Sequence, residues 1–465
     1  MSNGRRKLDK YQEPKLTLHE KFQAQTNRVL ERKIVVTDPR VEKRLLTPKE
    51  IIHGFIRAII DDGTKQDFEC WRVHYNGERD QGGTRYAKDA HLGEVVGLGS
   101  GMMQKNELMQ LVLEIHGRKI HVGGGKGAVA IDTHSHSLRV IEDVSRGYMH
   151  ILEPYIGSDK DGLAPDVYTN GQIMGWFRSE FEKIRGYSDP AMCTGKALDN
   201  GGCLGRETAT SMGAYYWTEE MLKVLGITEK LPMAAHGLGN AAKYYLLKYY
   251  ERGFPIISVT DTSGWLSNPY GLDLPDVLAY KQKYGHLAGY SSGKYTVFGD
   301  KYSKARKIAD EARILNPAAY EDTVDMFIAD HLKHVIIMPE SANEPCTIGA
   351  QRILSSRGVY VGPSVITSGG GVEVSLDGEA KQGLDGRKRT AEEIDNQLHT
   401  KMTQAFHNVW KFYTDKKLTT LRDAATGYAL QQIADRMMLE EDLDAPYGKV
   451  IERGIYDVAL GKFVE

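Results

Sequence analysis

Cysteine is scarce in this 465-residue sequence, and none of its four cysteines, Cys70, Cys193, Cys203 and Cys346, sits in a CxxC pair. That argues against a zinc ribbon or a disulfide framework and points to a reducing compartment. There is no apolar run long enough to span a bilayer and no visible signal-peptide core. Charge of one sign is also lacking. Sixty Lys+Arg against 62 Asp+Glu leave a formal net charge of −2, so no global basic field suggests nucleic acid or an anionic membrane as partner. The one basic run near the start, GRRKLDK, reads as a solvated tail. No internal repeat is present. What remains is an ordinary globular composition, 41% hydrophobic and 26% charged, with 49 glycines clustered between apolar segments. The expectation is a cytoplasmic α/β enzyme of two or three domains.

The chain changes texture along its length. TLHEKFQAQTNRVLERK suggests a short early helix. IIHGFIRAII and KQDFECWRVHYN read as strands joined at Asp62-Gly63, and LVLEIHGRKIHV as a second hairpin turning at His116-Gly117. LGEVVGLGSGMMQK, SLRVIEDVSRGYMHILEPYI and NGQIMGWFRSEFEKIRG carry helical periodicity, as does a long segment from ETATSMGAYYWTEEM. LPMAAHGLGNAAKYYLLKYYERGFPIISVTD then reads as strand, glycine turn, helix, strand, which is one βαβ unit of a parallel sheet. HVIIMPE and GVYVGPSVI supply further strands, and from GLDGRKRTAEEI the chain reads as helical almost to its end. Residues 283–307 are long and polar for a βαβ connection and look like an insertion.

Three places carry chemistry. In HGLGNAA, Gly237, Gly239 and Ala242 fit the G-x-G-x-x-A dinucleotide fingerprint. There the first glycine makes the turn, the second clears space for pyrophosphate, and the small third residue lets helix meet strand. Asp261, closing PIISVTD, is placed to hydrogen-bond a ribose hydroxyl. His236 reads as a packing or turn residue. HVGGGKGAVA sets Lys126 in a run of glycines, where it either reaches into a pocket or decorates an exposed loop. Asp166 follows Pro165 before an apparent helix, the position of a simple cap. Function needs both in one desolvated place, where burial and a positive neighbour lower the lysine toward neutrality. Asp132, His134 and His136 alternate in IDTHSHS, but without further ligands nearby they read as a surface loop, and no metal site is expected.

GGTRY at 82–86, KN at Lys105, GGGKG, APDVYTN, TGKALDNGGCLGRETAT, HGLGNAA, VTDTSG, SANEPCT and GGGVEVS occur in this order. The series resembles the glutamate, leucine, phenylalanine and valine dehydrogenases, and TGK…GGCLGRETAT is closest to glutamate dehydrogenase. The resemblance implies NAD(P)-dependent oxidative deamination of an L-amino acid to a 2-oxo acid and ammonia. It matches Lys126 to the catalytic lysine that activates water, Asp166 to the proton-shuttling aspartate and Lys105 to the lysine on the substrate α-carboxylate. Gln81, Gly82, Gly83 and Ser375 fall on substrate-binding positions. Thr210, Gly237, Gly239, Asn240, Ala241, Asp261, Thr262, Asn343 and Ser368 fall on cofactor-binding positions. The cofactor is NAD or NADP, Asp261 leaning toward NAD.

The implied fold is α/β, with two domains around a cleft. They are a substrate-binding and oligomerisation domain over 1–208 and a Rossmann-type domain over 209–365, with helices of 366–465 returning to the first. Its members assemble as homo-oligomers, usually hexamers.

Several residues depart from the pattern. Gln81, preceded by Asp80, stands where glutamate dehydrogenases carry a lysine for the substrate's side-chain carboxylate; its amide donates only neutral hydrogen bonds. Ser375 pulls back toward glutamate. Lys105 and Lys126 are 21 residues apart, a wider spacing than the family's, with Lys119 as a rival to Lys105. Ser368 replaces an asparagine. Two alternatives follow: the same chemistry on an amino acid other than glutamate, or a dinucleotide-binding regulator without activity.

Overall fold

The computed structural model describes residue 11 and residues 13–291, 294–297, 311–440 and 442–465. The basic run at 4–10, and residues 292–293 and 298–307 of the expected insertion, lie outside the described residues. The strands are β1 (Glu50–Ile59), β2 (Lys65–Tyr75), β3 (Arg79–Tyr86), β4 (Val112–Ile115), β5 (Arg118–Val129) and β6 (Asp161–Pro165). They continue as β7 (Met233–His236), β8 (Ile256–Thr260), β9 (Gly264–Ser267), β10 (Lys294–Val297), β11 (Ile314–Pro317), β12 (Ile337–Pro339) and β13 (Tyr360–Gly362). β14 (Lys449–Asp457) and β15 (Lys462–Val464) close the chain.

The chain divides into two compact units. The first comprises Leu16–Arg206, Val372–Gln397 and Thr426–Glu465; the second comprises the described part of Met1–Lys15 with Glu207–Gly371 and Leu398–Ala425.

The first unit is built on a mixed eight-stranded sheet in the order β15-β14-β1-β2-β5-β3-β6, with β4 paired to β5 off that path. Both expected hairpins form. β1 and β2 pair antiparallel across Gly63, whose φ is +84°. β4 and β5 do so across His116 and Gly117, at φ +52° and +74°, the pair of positive values that matches the twist of a two-residue hairpin. The Leu138–Leu152 and Gly171–Arg185 helices bury Val140, Val144, Tyr148, Phe177 and Phe181 against one face of the sheet. The Leu92–Leu108 helix covers the other face: a Cβ at Gly124 would collide with the backbone nitrogen of Met103, whereas a Cβ at Gly127 would collide with Tyr148. Opposite parity on β5 puts these two neighbours on opposite sides.

The chain is not helical to its end. After the Leu421–Glu440 helix, KVIERGIYD forms β14, which pairs in parallel with β1, and β15 folds back on β14. The stretch alternates with period two, and its partner lies at the other end of the sequence, so only the completed sheet gives its apolar side something to cover.

The second unit holds a seven-stranded sheet in the order β10-β9-β8-β7-β11-β12-β13. β8, β7, β11, β12 and β13 run parallel, while β9 and β10 add an antiparallel edge. Part of the expected insertion is thus an edge strand. The order reverses between β7 and β11, the topological switch point at which doubly wound sheets bind ligands. Among the described residues no helix is long and apolar enough to cross a membrane.

Candidate active site

GGGKG is strand, not loop: all of it lies inside β5. The glycines are needed for close approach. Gly124 lets the backbone of the Leu92–Leu108 helix down onto the sheet, and Lys126, on the same face, is left 5% exposed. On the neighbouring β3, alternate residues Arg79, Gln81, Gly83 and Arg85 share that face. Gly83 is the bare spot among them, since a Cβ there would come 2.8 Å from the Asp166 Cβ and 3.4 Å from Lys126 Nζ.

Asp166 is not a helix cap. Asn170 does that work, its Oδ1 accepting from the backbone of Gln172 and Ile173, while Thr169 ties the loop to Thr84 at 2.8 Å. The Asp166 carboxylate is thereby turned onto Lys126, to which it is ion-paired through Oδ2. Arg85 Nε donates to the same oxygen at 3.2 Å and its Nη1 pairs with Glu94. Burial lowers the Lys126 ammonium below the ordinary lysine value; Asp166 opposes this and Arg85 reinforces it. Burial would raise the Asp166 carboxyl, but Lys126 and Arg85 hold it well below the usual carboxylate range. The result is a desolvated lysine beside a carboxylate that stays ionised, a matched acid–base pair. Arg85 and Glu94 were not singled out from sequence. Reading RDQGGTRY with period two, which puts Arg85 on the same side as Gly83, would have found the first.

The other expected substrate residues lie in the same compact unit as this pair. Lys105 is half-buried in the last turn of its helix. The neighbouring Asn106 donates to the carbonyl oxygens of Gln81 (3.2 Å) and Gly123 (2.6 Å). Met102 lies 3.4 Å from a Cβ position at Gly82. Lys119, by contrast, is exposed on the β4–β5 hairpin. Gln81 is buried, accepting from Arg79 Nη1 at 2.7 Å and donating to Thr194 Oγ1 at 3.2 Å. Ser375 lies on a π-helical stretch, Val374–Ala380, and accepts from Arg206 Nε at 2.9 Å. That stretch is tied back by Glu379, which pairs with Lys196 at 2.7 Å. π-helical turns recur at functional sites. Asp132 caps its own turn, accepting from His134 N at 3.0 Å and Ser135 Oγ at 2.9 Å.

Behind the pair, on the opposite sheet face, Arg72 and Asp161 form a bidentate ion pair, both contacts 2.6 Å and both side chains fully buried. Arg72 also donates to the carbonyl oxygens of Gly82 and Gly83 at 3.2 Å, bracing the bare strand from below. His74 Nε2 joins Asp161 at 3.0 Å. Burial pulls the His74 imidazole down, yet Asp161 and Glu50 carry it up to about 9. Burial also pushes the Asp80 carboxyl up to about 7, with His74 opposing. For a histidine raised above its usual 6.5, the stabilisation is fully present below that pH and lost as pH rises through about 9. An acid raised from 3.8 to about 7 acts in the same direction over its lower window. We therefore expect the unfolding free energy to fall between pH 6.5 and pH 9, by on the order of 3 kcal/mol, with the urea midpoint falling alongside. His74→Gln should flatten that fall, as measured by urea titrations at the two pH values.

The second unit carries the other expected residues. Gly237 turns at φ +99°, and a Cβ there would come 2.8 Å from the backbone of Ala319, in the loop after β11. A side chain is excluded on both grounds. Gly239 precedes the Asn240–Glu251 helix without a side-chain cap, and nothing lies within 4 Å of its Cβ position. Free N–H groups at a helix N-terminus in front of open space, at the switch point, fit the pyrophosphate of a dinucleotide. Ala242 is fully buried, and Ser211 bonds the carbonyl of Asn240, bringing Thr210 and Ala241 to the same end of the sheet. Asn343 and Thr262 are exposed; Ser368 is buried, its Oγ donating to Ser364 O at 2.6 Å. Asp261 closes β8 as expected, but its carboxylate is engaged by its own loop. It accepts from Ser263 N (2.8 Å), Ser263 Oγ (2.6 Å), Gly264 N (3.2 Å) and Leu287 N (2.7 Å).

A dinucleotide fold in one unit and a buried lysine–carboxylate pair in the other define the class: an amino-acid dehydrogenase. Comparison with known proteins makes this particular. The profile "Glutamate/Leucine/Phenylalanine/Valine dehydrogenase" matches residues 201–440, and "Glu/Leu/Phe/Val dehydrogenase, dimerisation domain" matches 48–183. The chain belongs to this family. It is 34% identical over 411 residues to the NADP-specific glutamate dehydrogenase of Synechocystis, covering 87% of this chain and 93% of that protein. It is 31% identical over 410 residues to the NAD-specific glutamate dehydrogenase of Clostridioides difficile, covering 86% and 93%. Among solved structures, it is similar to the hetero-hexameric glutamate dehydrogenase of Thermus thermophilus in its Leu-bound form. That match has a TM-score of 0.82 and 25% identity, covering 94% of this chain and all of that one. The glutamate dehydrogenase of Peptoniphilus asaccharolyticus matches with a TM-score of 0.78 and 28% identity, covering 91% and 99%.

Proposed function

We propose that the protein catalyses NAD(P)-dependent oxidative deamination of L-glutamate, and the reverse amination of 2-oxoglutarate. The observation that carries this reading is the desolvated Lys126–Asp166 pair over Gly83; the names of the relatives support the substrate. Gly237, Gly239, Asn240 and Ala241 would hold the dinucleotide, assisted by Thr210, Thr262, Asn343 and Ser368. Bound there, NAD or NADP supplies the acceptor for the hydride leaving the substrate Cα.

The chain's own residues do the rest. Lys105 holds the α-carboxylate, and Gly82 and Gly83 let the substrate lie against bare backbone. Lys126 Nζ, once neutral, draws a proton from water so that its oxygen adds to the oxidised carbon. Asp166 Oδ2 accepts and returns protons until ammonia leaves. Arg85 keeps Asp166 ionised and lowers the lysine, so both stay in their working states. The first unit is the substrate-binding and oligomerisation body, the second the dinucleotide body, in a cytoplasmic homo-oligomer.

Incubating the protein with 2-oxoglutarate, ammonium and NADH or NADPH tests this. Cofactor oxidation with equimolar glutamate is the expected outcome; no oxidation with either cofactor would refute it. The reading with a neutral polar substrate is favoured only by Gln81, and a glutamate reaction outpaced by such a substrate would select it.

A further inference from the structure

The loop after β12 is pinned on both sides of one exposed residue. Ser341, Ala342, Glu344 and Pro345 are buried, whereas Asn343 between them is exposed. Ser341 N and Ala342 N both donate to the Pro317 carbonyl, at 3.0 and 3.1 Å. Asn316 Nδ2 donates to Pro339 O at 3.0 Å and to Ser341 Oγ at 2.7 Å. Beyond Asn343, the backbone nitrogens of Asp322 and Val324 donate to the carbonyl oxygens of Glu344 (3.2 Å) and Pro345 (2.8 Å).

Glu344 is the unusual member of this loop. Its φ is +43°, in the left-handed region that a side chain disfavours. Its Oε1 accepts from Ser364 Oγ at 2.9 Å and from Arg422 Nη1 at 2.6 Å, and its backbone nitrogen donates to Ser364 Oγ at 3.3 Å. Arg422 Nη2 pairs with Glu340, whose Oε2 also accepts from Ser364 N at 2.9 Å. Arg422, the second residue of the Leu421–Glu440 helix, is itself buried. Burial raises the Glu340 carboxyl above its usual value; Arg422 opposes this and Glu344 adds to it. Two buried carboxylates on one guanidinium do little for stability that apolar side chains would not do as well. A strained backbone adds to the cost. Strain of this kind persists where the surroundings enforce it, and it gathers at ligand sites.

The loop leaves β12 at its carboxyl end, the edge at which parallel sheets of this kind bind ligands. The 237–242 turn and Asp261 lie on the β7–β8 side of the switch point, which is the adenosine side of such a fold. β11, β12 and β13 lie on the other side, which leaves the nicotinamide half to them. We propose that Arg422, Glu344 and Ser364 form a positioning cluster that holds Asn343 out toward the nicotinamide half of a bound dinucleotide. Asn343 makes the contact; the other three fix the backbone between Asn343 and Glu344 in the conformation that presents it. This rests on the dinucleotide-dependent dehydrogenase reading and adds to it residues that touch neither substrate nor cofactor.

The test compares the affinity of the full-length protein for NADH and for ADP-ribose, which lacks the nicotinamide. NADPH and 2′-phospho-ADP-ribose take their place if the enzyme prefers NADP. The dinucleotide is read by its fluorescence and the fragment by displacing it. The wild type should hold the dinucleotide more tightly. Glu344→Gln and Arg422→Met should each shrink that advantage about three- to tenfold, the worth of one neutral hydrogen bond, with affinity for the fragment left near wild type. Arg422→Lys should keep part of the advantage. Asn343→Ala should shrink it to the same extent, and adding Glu344→Gln to Asn343→Ala should cost nothing further, because the cluster acts through Asn343. If Arg422→Met does not fold, Glu344→Gln and the double variant decide the matter. An equal loss for both ligands, an advantage unmoved in Glu344→Gln, or full additivity in the double variant would overturn the proposal while leaving the dehydrogenase reading intact. Folded wild-type protein that binds neither NADH nor NADPH would overturn both.

Discussion

Lys126→Ala lowers kcat by about a thousandfold or more, because the variant loses the desolvated amine that faces Gly83 on β3. The residues proposed to hold the dinucleotide lie in the other unit, so cofactor affinity, read by fluorescence titration with NADH or NADPH, should stay within a few-fold of wild type. Lys126→Arg should not rescue turnover. An arginine keeps the charge but does not give up its proton at any working pH, and the reaction needs a neutral nitrogen. In the wild type, kcat/KM should rise with pH on a limb set below the ordinary lysine value of 10.5, since burial and Arg85 both favour the neutral amine. Turnover preserved in Lys126→Ala would remove the lysine from the chemistry.

The largest stability effect is expected at Arg72. Its removal in Arg72→Met leaves the buried Asp161 carboxylate with His74 as its remaining side-chain hydrogen-bond partner among the described residues and frees the carbonyl oxygens of Gly82 and Gly83. Breaking one side of a buried ion pair costs about 3–5 kcal/mol, so the urea midpoint should drop steeply. Pairing it with Asp161→Leu removes the stranded charge as well, and the double variant should recover part of the loss. If Arg72→Met unfolds at the wild-type midpoint, the ion pair is not what holds β2, β3 and β6 together. The same variant should impair turnover even where it is folded, since the strand that faces Lys126 loses its brace.

Much of this was legible in the sequence, and the exceptions share a cause. Hairpins at Asp62-Gly63 and His116-Gly117, the β7–turn–helix fingerprint and the Lys126 and Asp166 positions are local signals carried by a few adjacent residues. GGGKG was open between loop and pocket because glycine is depleted in strands, and its need for glycine comes from a helix twenty residues earlier. Asp166 looked like a cap until Asn170 took that role four residues later. β14 went unread because its partner is β1, at the far end of the chain. Asp261 follows β8 directly, as expected, yet Ser263 and Gly264 turn one carboxylate oxygen into its own loop, and the other is held by Leu287, far along the chain. Arg79, Gln81 and Arg85 fall on one face only when RDQGGTRY is read as a strand, and two glycines in the middle argue locally against one.

The central claim is that this chain removes ammonia from L-glutamate by handing a hydride to NAD or NADP. Its most direct test is to follow cofactor reduction with each of the common L-amino acids in turn, with both cofactors, while assaying ammonia. The account predicts reduction with glutamate above all others, one ammonia and one 2-oxoglutarate for each cofactor reduced, and none of it in Lys126→Ala. No reduction with any amino acid by folded protein would contradict it.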